Sequence, residues 1–273
     1  MINGLSFDFE YWWCNDFLKK YLPQDREDCI QESLDPVIQL LKKHDTRATF
    51  FILGSVVEKY PQSVETIYKN GHEIACHGYS HTAVDKLGKE GFSQEIKKSV
   101  DILESFKPIG FRAPSFSVNN STKWFLEILE KNDFLYDSSI FPVNMIYYGV
   151  PKVPGWIYRP SKDDICKNDP SGTITEFPIS PLKMGMNVPV AGGFYFRFFP
   201  FWFLHWSYKQ INRTNPTVIY LHPWETFPGL PRLKVPLISR IEAYYGVNDA
   251  LNKMELLLES FRFQPIKKFL EPI

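Results

Sequence analysis

The sequence predicts an α/β protein, a distorted (β/α) barrel with about seven parallel strands. Short apolar runs alternate with segments of helical periodicity, which is the pattern of βαβ units and a parallel sheet. Acidic, histidine and arginine residues follow the ends of several of these runs, as they do on the active face of α/β barrels. The 273 residues suit one such barrel, so we expect a single catalytic domain over 1–273.

Seven apolar runs are predicted to be strands. They are Leu5–Phe9, Ala48–Leu53, Glu73–Cys76, Ile109–Arg112, Phe134–Asp137, Ile174–Pro178 and Thr217–Leu221. Segments of helical periodicity lie at Ile30–His44, Tyr60–Asn70, Ser93–Phe106, Lys123–Lys131, Val235–Tyr245 and Asp249–Phe261. Residues 138–172 lack periodicity and contain frequent Pro and Gly, so we expect a long irregular segment there.

The composition argues against a nucleic-acid partner. The 31 basic and 31 acidic residues give a net charge of +0, so no basic surplus exists to neutralise a nucleic acid.

No apolar run approaches the roughly 20 residues of a transmembrane helix. The N-terminus shows no signal-peptide pattern, so we expect a cytoplasmic protein. The four cysteines form no Cys-x-x-Cys pair and are predicted to be reduced thiols. The sequence gives no oligomeric state.

Two pairs of residues suggest a metal site. His77 and His81 are four apart, so on one helical turn both imidazoles would face the same way and could bind one ion. Asp8 and Glu10 are two apart at the end of a predicted strand, so both point to one side of the sheet. One carboxylate can bind the metal while the other remains a base. A polar helix face and a surface acidic pair are the alternatives, but their joint occurrence favours a catalytic metal site with open positions.

Three further residues at predicted strand ends would complete a hydrolytic site. A metal ion lowers the pKa of a bound water toward about 7 and polarises a carbonyl. Arg112 would keep the basic carboxylate ionised. The amide of Ser115, which follows Pro114, could donate to an oxyanion. His222 could protonate a leaving amine. A surface salt bridge for Arg112 and a core position for His222 are the alternatives.

Five segments occur in an order and at spacings that resemble one known family. They are Ser6–Glu10, Ala48–Gly54, Asn70–His81, Phe111–Phe116 and Leu221–His222. The chain resembles the polysaccharide deacetylases, a family of chitooligosaccharide and peptidoglycan N-deacetylases, from roughly Leu5 to Pro223. The resemblance implies a distorted (β/α) barrel of about seven strands. The Asp-x-Glu start and Leu-His-Pro-Trp-Glu resemble the exopolysaccharide-associated and allantoinase-like branch more than the chitin enzymes.

The resemblance also implies a metal site and its base. Asp8 aligns with the family base, and His77 and His81 align with ligands of a divalent metal, commonly zinc. The usual second aspartate is Phe9 here. A branch of the family carries Asp-x-Asp or Asp-x-Glu, in which the later acid binds the metal, so we assign that role to Glu10.

The remaining roles follow from the same resemblance. Arg112 is implied to tune the base, the Ser115 amide to form the oxyanion hole, and His222 to act as the acid. The usual tyrosine of the Arg-x-Pro-Tyr motif is replaced by Ser115, a mild departure since only the amide is needed. No clear Asp-Trp motif is present, so Glu176 is the candidate carboxylate partner of His222, with Asp137 as the second candidate.

The segment Gly192–Tyr208 is the densest aromatic stretch of the chain. Its double glycine would allow close backbone approach to a ligand. We therefore predict that Tyr195 and Arg197 line the substrate cleft together with Gly193 and Pro114. Packing against the barrel is the alternative for this segment.

These observations predict a metal-dependent hydrolase that removes N-acetyl groups from an N-acetylated sugar or surface polysaccharide. The expected class is a hydrolase of carbon–nitrogen bonds other than peptide bonds, with zinc as the expected cofactor. Two alternatives stay open. One is an allantoinase-like hydrolase of cyclic amides, and the other is a sugar-binding pseudoenzyme.

Overall fold

The computed structural model of the protein describes residues 1–144 and 149–270. Its strands are β1 Ile2–Phe9, β2 Thr49–Ile52, β3 Glu73–Cys76, β4 Gly110–Phe111, β5 Tyr136–Asp137, β6 Thr175–Glu176, β7 Pro181–Met184, β8 Met186–Pro189, β9 Val218–Leu221 and β10 Arg262–Gln264. Its helices are α1 Ile30–Lys43, α2 Gly54–Lys59, α3 Pro61–Lys69, α4 Val84–Leu103, α5 Phe125–Lys131, α6 Gly193–Phe198, α7 Phe201–Ile211, α8 Leu237–Tyr244 and α9 Val247–Ser260.

Seven parallel strands form a curved half-barrel in the order β9-β1-β2-β3-β4-β5-β6. The strand β10 pairs in parallel with the first residues of β1, and β7 and β8 form a separate antiparallel hairpin. The predicted distorted barrel of about seven parallel strands is confirmed. Strands from both halves of the chain share this sheet, while the assignment of 1–273 to one catalytic domain stays a prediction.

The central strand β1 explains how the site is placed. Leu5, Phe7 and Phe9 alternate with Ser6 and Asp8, and all five are buried. Successive side chains of a strand point to opposite faces, so one face of β1 contributes apolar side chains to the core. The other face carries polar side chains toward the C-terminal end of the strand, where the cleft lies.

Several elements were not predicted from the sequence. The helix α2 begins at Gly54, directly after the predicted strand Ala48–Leu53. The aromatic stretch contains two helices, α6 and α7, because its apolar residues cover most faces and leave no clear period. The strand β10 is short, half exposed and polar, so it lacks an apolar run.

The predicted irregular segment 138–172 contains no helix or strand in its described parts, 138–144 and 149–172. Residues 145–148 of that prediction lie outside the described residues. Among the helices of the described chain, none combines the length and apolar character needed to span a bilayer.

Candidate active site

A cleft opens at the C-terminal ends of β1, β3 and β9. Its walls are formed by Asp8, Glu10, Cys14, Asn15, Asp16, Phe17, His77, His81, Ser115, Phe116, Phe194, Tyr220, His222, Trp224, Glu225 and Glu242. Strand ends that are far apart in sequence, the turns after β1 and the helix α8 therefore bring five carboxyl groups and three imidazoles to one place. This is the face on which α/β barrels carry their active sites.

The Glu10 carboxylate lies between the imidazoles. Its Oε2 is 2.7 Å from Nε2 of His81 and 3.3 Å from Nε2 of His77, and its Oε1 is 3.4 Å from Nε2 of His222. Burial would raise the pKa of Glu10, but His81, His222 and His77 hold it well below its usual value. Glu10 is therefore an ionised carboxylate in a buried place.

The two histidines are not on a helical turn, and that part of the sequence argument is wrong. They follow β3 in an irregular loop in which Gly78 and His81 have φ angles of +76° and +60°. The carboxylate of Glu95 fixes this loop by accepting hydrogen bonds from the amides of Tyr79 and Ser80 at 2.8 and 3.1 Å. The positive φ angles bring the two rings within 5.5 Å of each other.

The hydrogen bonds of the histidines fit a bound cation. The Nδ1 of His77 lies 2.8 Å from the carbonyl oxygen of Arg112, which can only accept, so Nδ1 carries the hydrogen. In neutral His77 the Nε2 then presents a lone pair to Glu10, and two lone pairs repel unless a cation lies between them. Metal-binding histidines commonly donate their second ring nitrogen to a carbonyl in this way. The Nδ1 of His81 is buried without a hydrogen-bond partner among the described residues.

The guanidinium of Arg112 is fully buried and orients Asp8. Its Nη1 donates to Asp8 Oδ1 at 2.7 Å and to Ser6 Oγ at 2.9 Å. Its Nε and Nη2 donate to the carbonyl and hydroxyl of Ser138 at 2.9 and 2.8 Å. The second oxygen of Asp8 is thereby left toward the cleft, 3.9 Å from Nε2 of His222.

The carboxylate partner of His222 is Glu225. Its Oε2 accepts from Nδ1 of His222 at 2.8 Å and from the His222 amide at 3.1 Å. Its Oε1 accepts from Nε of Arg197 at 2.9 Å. Burial would lower the pKa of His222, yet Glu225 and Glu10 raise it to about 9. Burial would raise the pKa of Glu225, yet Arg197 and His222 lower it to about 2.

The prediction that Glu176 partners His222 is therefore wrong, as is its alternative, Asp137. The two carboxyl groups lie side by side behind Arg112, and burial raises the pKa of both, that of Asp137 to about 6. Glu176 accepts from the Ile140 amide at 3.0 Å. Glu176 was an incorrect candidate because β5 and β6 are neighbours in the sheet, whereas β9 lies at its other end.

The aromatic stretch Gly192–Tyr208 contributes Phe194 to the cleft wall, and the prediction that Tyr195 and Arg197 bind substrate there is wrong. Arg197 is 1% exposed, and its donors bind Glu225 and the carbonyls of Glu242 and Tyr245, so it cannot face substrate. Tyr195 is buried and packs near Phe141. Phe194 is the member of the stretch that lies on the cleft wall.

The other two predicted binding residues, Gly193 and Pro114, pack behind the cleft wall. A Cβ at Gly192 would lie 2.2 Å from the ring of Tyr220, and one at Gly193 would lie 2.9 Å from its hydroxyl. The double glycine therefore permits close approach to Tyr220 rather than to a ligand. Pro114 is buried in a 3-10 turn that places Ser115 on the cleft wall with a φ of +54°.

Two residues of the cleft with their own chemistry, Glu225 and Cys14, were not among the predicted site residues. Glu225 lies three residues after His222 and forms a capping box with it, a spacing that could have been recognised. Cys14 lies in a 3-10 turn after β1. Its thiol, a Glu10 carboxylate oxygen and a His81 nitrogen all lie within 4.8 Å of one another. No local pattern predicts that approach.

Two family models match the chain in succession. The polysaccharide deacetylase model matches residues 19–134, and a domain of unknown function, DUF3473, matches residues 138–271. The chain is 35% identical over 95 residues to a peptidoglycan-N-acetylglucosamine deacetylase of Bacillus cereus, which is 33% of this chain and 34% of that protein. It is 29% identical over 163 residues to a peptidoglycan deacetylase of Helicobacter pylori, which is 56% of this chain and 53% of that protein. The chain therefore spans about a third to a half of these relatives.

A crystal structure of a Mycobacterium smegmatis protein assigned as a polysaccharide deacetylase superposes with a TM-score of 0.58. The superposition covers 98% of this chain and 89% of that chain at 17% identity. The two proteins therefore share a fold. The matching family model, the sequence relatives and the shared half-barrel agree with the motifs. Over residues 19–134 the chain is therefore similar to the polysaccharide deacetylase family.

Proposed function

We propose that this protein is a metal-dependent N-deacetylase that hydrolyses the acetamido group of an N-acetylated carbohydrate and releases acetate. The observation that carries this proposal is the convergence of Glu10, His77 and His81 beside Asp8 and His222. Deacetylation of an amide needs a proton acceptor for water, a proton donor for the leaving amine and an electrophile for the carbonyl. The match of residues 19–134 to the polysaccharide deacetylase model supports the same chemistry.

The residues fit a divalent metal at Glu10, His77 and His81, with zinc as the proposed ion. Two imidazoles and one carboxylate leave positions open for water and a substrate oxygen. A divalent metal, when bound, supplies Lewis acidity toward the acyl oxygen and lowers the pKa of water toward about 7. The carbonyl of Arg112 orients His77 for this task through its Nδ1.

The protein's own groups then accept and donate the protons of the reaction and stabilise the oxyanion. Asp8, held by Arg112 at 2.7 Å, accepts the proton of the attacking water through its cleft-facing oxygen. His222, kept protonated by Glu225, donates from Nε2 to the departing amine. The Ser115 amide, on the cleft wall, stabilises the developing oxyanion. Glu225 and Arg197 are positioning residues because they act on the reaction only through His222.

The charge of the cleft suggests the kind of sugar. Its described wall carries five carboxyl groups, those of Asp8, Glu10, Asp16, Glu225 and Glu242, and neither Lys nor Arg. Such a wall disfavours an anionic group on the sugar and favours the ammonium product. We therefore propose an uncharged N-acetylhexosamine at the reacting position. A cytoplasmic location stays a prediction.

A substrate screen tests the proposal. Zinc-loaded wild-type protein and His81→Ala are incubated with neutral N-acetylhexosamine oligomers, with oligomers that carry a carboxylate on the sugar, and with allantoin. We expect acetate release from the neutral oligomers, and only by the wild type. Ring opening of allantoin without acetate release would instead support the cyclic-amide alternative. Binding of oligomers with no turnover would support a pseudoenzyme.

A further inference from the structure

We propose that the thiolate of Cys14 is an additional ligand of the metal, so that the site contains one soft sulfur donor beside its carboxylate and imidazoles. This inference rests on the proposed function because it concerns the metal of that site. The observation behind it is the cluster of Cys14, Glu10 and His81, whose ligand atoms lie within 4.8 Å of one another.

The distances need only a small adjustment. Zinc binds sulfur at about 2.3 Å and nitrogen at about 2.0 Å, so two such ligands in adjacent positions lie roughly 3 to 3.5 Å apart. With Cys14 as a fourth protein ligand, a fifth position, which zinc can adopt, is left for water or the substrate oxygen. Ligand atoms within 4.8 Å can therefore close around an ion with a shift of about an ångström. The thiol proton leaves to solvent when the sulfur binds.

A buried cysteine often only fills space, but two observations distinguish Cys14. It lies on the wall of the cleft as well as in the apolar core. Its neighbour His81 has a side chain only 7% exposed, with an Nδ1 that has no hydrogen-bond partner among the described residues. A buried polar atom without a partner costs free energy. The other ring nitrogen, Nε2, lies 2.7 Å from Glu10 Oε2, so His81 and Glu10 meet beside the thiol of Cys14.

The turn that carries Cys14 is anchored on both sides. The buried Trp12 donates from Nε1 to the carbonyl of Glu27 at 3.0 Å. Asn15 donates from Nδ2 to Glu242 at 3.0 Å. The residues on either side of Cys14 are therefore anchored, which keeps the turn and its thiol beside Glu10.

A sulfur ligand changes which metals suit the site. Thiolates favour zinc and cobalt over magnesium, calcium and manganese, which prefer oxygen ligands. Cobalt also provides a readout independent of activity, because a thiolate bound to Co²⁺ gives an intense charge-transfer absorption in the near ultraviolet that oxygen and nitrogen ligands do not give.

The test uses metal-free wild type, Cys14→Ser and Cys166→Ser, each loaded with one equivalent of Co²⁺. Cys166 is the matched control because its thiol lies outside the cleft. We expect the absorption in wild type and Cys166→Ser and its loss in Cys14→Ser, whose cobalt affinity should fall at least about tenfold, as the loss of even an outer-shell partner can cause. X-ray absorption of zinc-loaded wild type should show one sulfur at about 2.3 Å, and this needs no variant.

Three results would overturn the inference. They are bound cobalt in wild type without the absorption, an absorption that persists in Cys14→Ser, and zinc without a sulfur neighbour. If acetate release is metal-dependent while these results hold, Cys14 ligation fails and the proposed function stands. If wild type binds no metal at all, both fail together.

Discussion

Glu225 accepts a hydrogen bond from Nδ1 of His222 at 2.8 Å and also from the His222 backbone amide at 3.1 Å. One buried carboxylate oxygen therefore fixes both the ring and the main chain of the proposed acid. The imidazole is left with Nε2 toward Asp8 and Glu10, which is the orientation that proton donation into the cleft requires.

Replacing Glu225 by Gln should shift the alkaline limit of activity. The charge of Glu225 helps to raise the pKa of His222 to about 9. Activity needs protonated His222 and is lost as pH rises through that pKa. A neutral partner lowers the pKa, so the loss should move to lower pH by about 1–3 units. The kcat/KM profile of Glu225→Gln checks this, with Glu255→Gln, which does not line the cleft, as the control. An unmoved alkaline limb would remove His222 as the acid.

Replacing Arg197 by Met should destabilise the protein rather than weaken substrate binding. Arg197 and Glu225 are both buried, and removing one member of a buried ion pair costs about 3–5 kcal/mol. Urea unfolding measures the change, and Arg197→Met/Glu225→Gln should recover part of it. A raised KM with unchanged unfolding free energy would return Arg197 to the substrate site.

Substitutions of Asp8 and of Glu10 should differ in their effects on metal content and on turnover. Asp8→Asn removes the proposed base but leaves the proposed ligands, so metal content should persist while kcat falls by about 10²–10⁴-fold. Glu10→Gln should lose metal. Metal analysis beside kinetics distinguishes the two variants. Loss of metal in Asp8→Asn with retention in Glu10→Gln would reverse the assignment.

His72 should contribute to loss of stability in acid. It is buried and accepts from the Ala48 amide through Nδ1 at 3.2 Å, and burial and Arg47 lower its pKa to about 4. The unfolded chain, with a His pKa of about 6.5, binds the proton first, so stability is full above that pH and falls toward pH 4, by about 2 kcal/mol at pH 5. His72→Asn keeps an acceptor but cannot titrate there. Its unfolding free energy should fall less between pH 8 and 5, and an equal fall would exclude His72.

The sequence predicted the sheet and most of the site because both depend on local patterns. Alternation along β1 placed Asp8 and Glu10 on one face, and strand ends located His77, Arg112 and His222. Apart from Glu225, whose spacing from His222 could have been recognised, the residues that lie behind the site could not be predicted from the sequence. Arg197 contacts Glu225 only because α6 passes beside the turn after β9. Gly192 and Gly193 allow the ring of Tyr220 to pack closely against the backbone. These contacts depend on packing between segments distant in sequence, which no periodicity records.

We propose above that a metal at Glu10, His77 and His81 drives amide hydrolysis. The most direct measurement is acetate release from a neutral N-acetylhexosamine oligomer by wild-type protein, first after chelation to below one-tenth of an equivalent of metal and then after stepwise addition of zinc. We expect acetate release to fall with the metal content and to return in proportion to added zinc up to one equivalent, and we expect no return in His77→Ala/His81→Ala. Undiminished release by the metal-free protein would contradict it.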